Sequence, residues 1–288
     1  MTGYENVRES IELFERSLSA DAGGKPIKTV SELARRAGYS VYHFTRLFSA
    51  VANTHPKEYL AGRILSEAAR QVAETDESLA LIAERSGFPD YETFSRAFKR
   101  RFLRTPSAVR KERRLPSGLV PRLAPSLLGE PSADQAARIA VREPEVVEQA
   151  GFELTGLSFF IESGTVSFRR HWETFMKAQA RVSDRVTPET YCQFSSWTDD
   201  EAVEGIAVLF ALETAPGAAQ EPLFTTRAVP RATYLKFTHE GDIASIGETY
   251  RYIFQYWFAA RDDRPLDRWE FQRYREGATE IYIPMALR

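Results

Sequence analysis

The feature that most constrains this chain is an internal repeat in its first 115 or so residues. ELARRAGYSVYHFTRLF (32–48) and LIAERSGFPDYETFSRAF (81–98) carry the same pattern. Leu33, Ala34, Gly38 and Tyr39 correspond to Ile82, Ala83, Gly87 and Phe88 at an offset of 49. Phe44, Arg46 and Phe48 correspond to Phe94, Arg96 and Phe98 at an offset of 50. The one-residue difference falls in the turn after the glycine, where an insertion is cheap. Repetition at a fixed period means one supersecondary unit used twice.

Each unit reads as helix, turn, helix. Thr29 and Glu32 form a capping-box pattern at the start of the first helix. Gly38 and Gly87 follow a helix where the backbone needs a left-handed residue. Ser40 and Asp90 are placed to cap the second helices. In those helices Phe44, Leu47, Phe48 and Val51, and then Phe94, Ala97 and Phe98, fall on one face. The opposite faces carry Tyr42, Thr45 and Arg46, and Glu92, Ser95 and Arg96. An apolar anchor with a free polar face is the geometry of a recognition helix in the major groove of DNA. Between the units, PKEYLAGRILSEAARQVAE (56–74) reads as one helix with Pro56 at its first position. Its length, nearly 30 Å at about 1.5 Å per residue, suits two recognition helices set about one DNA turn, roughly 34 Å, apart.

Charge follows the same division. Residues 1–114 carry a net +5 and residues 115–288 a net −7. A basic half beside an acidic one suits a polyanion partner for the first. The segment 115–145 contains Pro116, Pro121, Pro125, Pro131 and Pro144 and reads as a linker, with a short helix near Asp134–Val141. Residues 146–288 hold all four tryptophans and mix strand-like and helical runs. Their order predicts a duplicated β-α-β-β unit: strand 146–160, helix 167–182, strands 190–197 and 205–213, then strand 224–238, helix 243–260, strands 268–275 and 279–286. The fold class expected is therefore an all-α double helix-turn-helix domain (1–114), followed by an α+β domain (146–288) with a curved antiparallel sheet and helices to one side.

No run of about 18 apolar residues suggests a membrane span, and the N-terminus lacks a signal-peptide pattern; the expected location is cytoplasmic. The single cysteine, Cys192, excludes an intramolecular disulfide framework, and the four histidines have no metal-ligand spacing. No cofactor or metal is expected.

The first half resembles the DNA-binding domain of the AraC/XylS family. The fuller signature lies in IAERSGFPDYETFSRAFKRRFLRTPSAVR (82–110), with its glycine-aromatic turn, paired phenylalanines, basic run and Thr105–Pro106 ending. The resemblance implies that Tyr42, Thr45 and Arg46, and then Tyr91, Glu92, Ser95 and Arg96, touch bases of double-stranded DNA in two successive major grooves. Arg35, Arg36, Lys99, Arg100 and Arg101 are candidates for phosphate contacts, which hold register without reading sequence. Tyr42 and Thr45 depart from the bulky and amide residues common at these positions.

The second half resembles the GyrI-like effector-binding domain, through HW-x-x-F (171–175), YLKFTHEG (234–241), the Tyr250–Trp257 helix, FQRY (271–274) and EIYIP (280–284). This domain order is that of Rob-like regulators. The resemblance implies a small-molecule effector, aromatic or cationic, held in an aromatic cleft; RNA polymerase is a further implied partner. Candidate lining residues are Trp172, Tyr191, Tyr234, Trp257, Glu270, Gln272, Tyr274 and Tyr282. The family pattern F-E-x-Y puts a glutamate in the cleft, whereas this chain has Gln272 there. Glu270, two residues earlier, shares a strand face with it. Either Glu270 supplies the charge or the cleft is neutral. The reading is a ligand-controlled transcription regulator and not an enzyme. Alternatives are a GyrI-like hydrolase using Glu270 or Glu213, an effector-independent DNA binder, and alkyl transfer through Cys192.

Overall fold

The computed structural model describes all residues except 19–25, 125–127, 130–141, 163–164, 166, 188–189, 199, 201–202, 204, 266–267 and 286–288. The short helix expected near Asp134–Val141 lies outside the described residues. The chain divides into two compact units, Met1–Glu130 with Ala259–Arg261, and Pro131–Phe258 with Asp262–Arg288.

The first unit is helical: α1 (Gly3–Ser17), α2 (Val30–Ala37), α3 (Val41–Ala52), α4 (Pro56–Glu74), α5 (Leu79–Arg85), α6 (Tyr91–Phe102) and α7 (Pro106–Glu112). Side chains set where these helices begin. Thr29, Ser40, Ser78, Asp90 and Thr105 each accept a hydrogen bond from the backbone N–H three residues on, which satisfies one of the orphan donors of a first turn. Only half of the expected Thr29 capping box forms, for the Glu32 carboxylate turns to Arg36 at 2.8 Å. Gly38 and Gly87 end α2 and α5 at φ 74° and 80°, a region open to glycine without a Cβ penalty. The two helix-turn-helix units are thus α2–α3 and α5–α6. Their second helices bury the phenylalanine faces read from the repeat: Phe44, Phe48, Phe94 and Phe98 are all fully buried.

α4 joins the two units, and much of the first unit is built on it. Glu15 of α1 is buried and receives two hydrogen bonds from Arg63 (2.7 and 2.8 Å) and one from Tyr59 (2.6 Å). A buried carboxylate is tolerable only when paired and hydrogen-bonded, and here α4 supplies both partners. Residues 115–123, expected as linker, lie along the same helix. Val120 N–H donates to Ser66 Oγ (2.8 Å), Leu123 N–H donates to the Tyr59 oxygen (3.2 Å), and Arg63 donates to Val120 O (3.4 Å). A Cβ on Gly62 would stand 2.5 Å from Val120 Cγ2, so this close approach requires a glycine in α4.

The second unit is one eight-stranded antiparallel sheet: β1 (Glu145–Gln149), β2 (Phe152–Glu162), β3 (Tyr191–Ser196), β4 (Gly205–Thr214), β5 (Thr225–Val229), β6 (Ala232–Glu240), β7 (Trp269–Arg275) and β8 (Ala278–Met285). Helix α8 (Arg169–Ala178) follows β2. Helix α9 (Ile246–Arg251) follows β6 and continues through a π-helical stretch, Tyr252–Trp257. Strand order is β1-β6-β8-β7-β3-β4-β2-β5. The order reads the same from either end when each strand is exchanged for its repeat equivalent, so the two β-α-β-β units meet at β3–β7. Each leading strand, read from sequence as continuous, is broken in two. The first piece crosses over: β1 pairs with β6, and β5 with β2. The breaks fall at Ala150–Gly151 and Pro230–Arg231; proline, lacking an N–H, interrupts a ladder.

Candidate DNA-reading surface and effector cleft

In the first unit, Tyr42, Thr45 and Arg46 are half-buried on the outward face of α3. The Arg46 guanidinium lies over the Tyr42 ring at 4.8 Å, a cation–π contact that orients it. Beneath them His43 is buried, with Nδ1 3.0 Å from Ser40 Oγ. Burial, reinforced by the Arg46 charge, pushes its pKa down to about 3, so the ring is neutral at physiological pH.

The second helix-turn-helix is more open. Tyr91, Glu92 and Arg96 are exposed on α6, and Ser95 is half-buried. Arg96 stands 3.7 Å from Glu92 with both side chains more than 70% exposed, 72% and 79%. Such a pair contributes little and yields readily to a base. Tyr91 Oη sits 3.3 Å from Ser107 Oγ of α7. An open cavity of about 560 Å³ beside this turn is lined by Lys28, Glu84, Phe88, Asp90 and Tyr91 among others, which leaves the N-terminal end of α6 accessible. Of the phosphate candidates, Arg35, Arg36, Lys99, Arg100 and Arg101 are all exposed; Arg36 is paired with Glu32, and Arg101 donates to Gly118 O at 3.0 Å.

In the second unit of the fold, strand register sorts the effector-cleft candidates between two faces of the sheet. At the β3–β7 junction Tyr191 faces Tyr274, Gln193 faces Gln272, and Ser195 faces Glu270. These six side chains point to the helix side, because alternate residues share a face. There they form a directed hydrogen-bond chain. Tyr274 Oη shares its one proton between Gln193 Oε1 and Gln272 Oε1 (3.0 Å each). Gln193 Nε2 passes on to Ser195 (3.2 Å), Gln272 Nε2 to the Tyr250 oxygen (2.7 Å), and Tyr250 to Glu270 Oε1 (2.6 Å). Gln193, Ser195, Glu270 and Gln272 are buried, while Trp172, Tyr191, Tyr250 and Tyr274 are partly exposed. The result is a polar floor with an aromatic rim. Trp172 meets Tyr274, Phe210 and Tyr191 edge-on at 5.1, 5.3 and 5.7 Å. Burial raises the Tyr274 phenol well above its ordinary pKa, which keeps it a donor. Trp257 is on the same side but packs on Phe237 and Phe258.

Tyr234 and Tyr282 do not join this cleft. They lie on the opposite face, where Tyr282 stacks on Phe271 (4.4 Å, 9°) and Tyr234 meets Phe271 and Trp269 edge-on. Burial beside Glu280 pushes the Tyr282 phenol up to about 12. Aromaticity is visible in sequence and strand parity across strands is not, so sequence alone does not separate them from the cleft residues. The missed residues are Gln193, Ser195 and Tyr250. Nothing local marks the first two, which matter only through their register partners; Tyr250 was part of a noted helix, but its direction depends on how α9 packs. On that same opposite face, Glu213 is paired with Arg273 at 3.2 Å, away from Glu270. Cys192 is buried, and burial pushes its thiol up to about 12, the opposite of the lowered pKa that marks reactive cysteines. Among the described residues no group of three His, Cys, Asp or Glu side chains is placed to hold a metal, and no helix is long and apolar enough to cross a membrane.

Comparison with known sequences bears on the first unit most directly. Residues 33–112 match a helix-turn-helix domain family, and residues 145–285 match the family described as integron-associated effector binding protein. Probable transcription factor PqrA of Proteus vulgaris is 33% identical over 110 residues, 38% of this chain and 87% of that protein. The chain belongs to the AraC/XylS family. It is an AraC-type DNA-binding transcription regulator whose second half is a GyrI-like effector-binding domain. The HTH-type transcriptional regulator Rv1931c of Mycobacterium tuberculosis is 45% identical over 83 residues, 28% of this chain and 32% of that protein. An integron cassette protein from Vibrio cholerae is similar in structure over 51% of this chain and 97% of its own, at 15% identity and a TM-score of 0.40.

Proposed function

We propose that this regulator is a cytoplasmic, non-enzymatic sensor that reads a two-part DNA site as a single chain and changes its output when a small molecule occupies the β3–β7 cleft. The observation that carries the first part is the packing of both helix-turn-helix units against α4. A 19-residue helix spans about 28 Å, close to the roughly 34 Å between successive major grooves on one side of DNA. Tyr42, Thr45 and Arg46 read one half-site, and Tyr91, Glu92, Ser95 and Arg96 the other. Arg35, Arg36, Lys99, Arg100 and Arg101 hold phosphates. Arginine suits guanine O6 and N7, and Glu92 suits a cytosine amine. The proposed domains are 1–114 for DNA and 146–288 for the effector. RNA polymerase is the proposed partner at promoters, and an effector acts by binding two states of the protein unequally.

Selection of sites from random duplex DNA by the full-length protein at fixed, near-physiological salt tests this reading. Enrichment of a bipartite site with elements about one helical turn apart is the expected result. Enrichment of a single short element, or of inverted repeats occupied by two chains, defeats the single-chain reading. Adding candidate effectors to the selected complex then reads out control, as a shift in affinity or in transcription from a promoter carrying the site.

A further inference from the structure

The cleft of the second half has a polarity along its length, and it points to the kind of ligand it takes. Tyr274, Gln272 and Glu270 are successive same-face residues of β7, so the floor runs about 13 Å from first to last at roughly 3.3 Å per residue. At one end Tyr191 and Tyr274 sit against Trp172. In the middle the Gln193 and Gln272 side chains face each other. At the other end lie Ser195, Glu270 and the hydroxyl of Tyr250.

We infer that the cleft takes an aromatic ligand bearing at least one N–H donor, a primary or secondary amine or an amide, in preference to a fully substituted onium cation. This rests on the effector-controlled reading above and narrows it. The hydrogen-bond chain on the floor runs one way, from Tyr274 through Gln272 and Tyr250 to Glu270, and ends on a carboxylate that as an ion can only accept. A ligand entering between the partly exposed rims of Trp172 and Tyr250 parts Tyr250 from Glu270 and from Gln272. Glu270 then lacks its Tyr250 donor and Gln272 Nε2 its acceptor, and a buried polar group left unmade is costly. An ammonium or amide N–H replaces the Tyr250 donor at Glu270, and with a charged donor the new bond is of the stronger, charge-assisted kind. A quaternary centre has no N–H: it brings charge and leaves the Tyr250 donor at Glu270 unreplaced. The amides of Gln193 and Gln272 act in the same sense, because at the middle of the floor they reward hydrogen bonding and offer no counter-charge. The aromatic part of the ligand goes to the Trp172 end, where three ring edges already meet.

Calorimetric titration of the full-length protein with a matched pair, 1-naphthylmethylammonium and its N,N,N-trimethyl derivative, tests this. The primary ammonium is expected to bind at least tenfold more tightly. Glu270→Gln should erase that preference, and Trp172→Ala should weaken both probes by a similar factor. Gln272→Glu, which adds a fixed charge at the middle, should strengthen the quaternary probe relative to the primary one. The inference is overturned if the quaternary probe binds as well as or better than the primary, if Glu270→Gln leaves the preference intact, or if neither probe binds. Those results leave the regulator reading standing as long as the same preparation selects a bipartite DNA site; loss of that selectivity defeats the regulator reading whatever the calorimetry gives.

Discussion

The two helix-turn-helix units are one backbone motif held in place by two different chemistries. In the first, the anchor is ionic and buried: Glu15 of α1 meets Arg63 and Tyr59 of α4. In the second, Arg110 of α7 donates to the carbonyl oxygens of Val72 and Glu77 (2.6 and 2.8 Å), and the phenylalanine ladder Phe94–Phe98–Phe102 fills the interior. Repetition in sequence therefore determines the shape of a unit, while non-repeated residues decide how it is mounted and what disturbs it. The recognition helices differ in the same sense. Arg46 of α3 lies over the Tyr42 ring and is half-buried, and Arg96 of α6 is exposed and loosely paired.

The sharpest way to break the comparison is at the ionic anchor. Arg63→Ala leaves Glu15 charged and buried without its cation, and loss of one partner of such a pair costs about 3–5 kcal/mol. Urea denaturation should show that loss, whereas Glu15→Leu with Arg63→Met should recover most of it, since apolar replacement of both partners is often neutral. Failure of the double substitution to recover stability would mean that the network's hydrogen bonds to residues 120–123, and not the ion pair, hold the unit.

Acid separates the units next. His43 and Thr93 are equivalent positions, each donating its backbone N–H to the N-cap side chain of its helix, but only His43 titrates. Its folded pKa of about 3 lies below the ordinary 6.5. The neutral ring therefore contributes stability that is fully present above about pH 6.5 and is lost as pH falls toward 3, by up to about 5 kcal/mol at ~1.4 kcal/mol per unit. Chemical denaturation between pH 7 and 4 should show this slope, and His43→Thr, which copies the second unit, should flatten it. An unchanged slope in the variant would assign acid sensitivity elsewhere.

Reading is compared by Arg46→Ala and Arg96→Ala. Each should cost roughly 1–3 kcal/mol at one base position and relax specificity there, measured by competition among single-base variants of the selected site. Lys99→Ala should instead weaken all sequences alike and flatten the salt dependence. Equal, sequence-independent losses for all three would remove the base-reading assignment.

Much of this was legible in the chain itself, and the reason is locality. The repeat, the caps at Ser40 and Asp90 and the glycine turns depend on neighbours a few residues away, so sequence spacing alone reveals them. The duplicated β-α-β-β order was readable for the same reason. The exchange of β1 and β5 between repeats was not, because a two-residue break at Gly151 or Pro230 looks like a bulge in a continuous strand. The cleft was half legible: Trp172, Glu270, Gln272 and Tyr274 come together, but Tyr234 and Tyr282 face away, and Gln193 enters only through a register partner 79 residues distant. Residues 115–123 were read as linker from their prolines; their docking on α4 depends on Gly62 and Ser66, which within α4 read simply as small helix residues.

The smallest expected effect lies at the ends of the two recognition helices. Asn53 closes α3 at φ 50°, ψ 31°, and Leu103 closes α6 at φ 56°, ψ 19°, the same left-handed conformation at equivalent positions. Asparagine tolerates that region through its short polar side chain, whereas leucine brings its Cβ against a carbonyl. Leu103 is also 87% exposed, so burial offsets little of this strain. Leu103→Gly should therefore stabilise the protein, by roughly 0.5–1 kcal/mol once the extra ordering entropy of glycine is counted. Asn53→Gly should change stability by less. Both are read from urea midpoints at neutral pH. If Leu103→Gly destabilises instead, its side chain makes a contact in solution that Asn53 does not, and the second unit is held at its C-terminal end by more than its backbone.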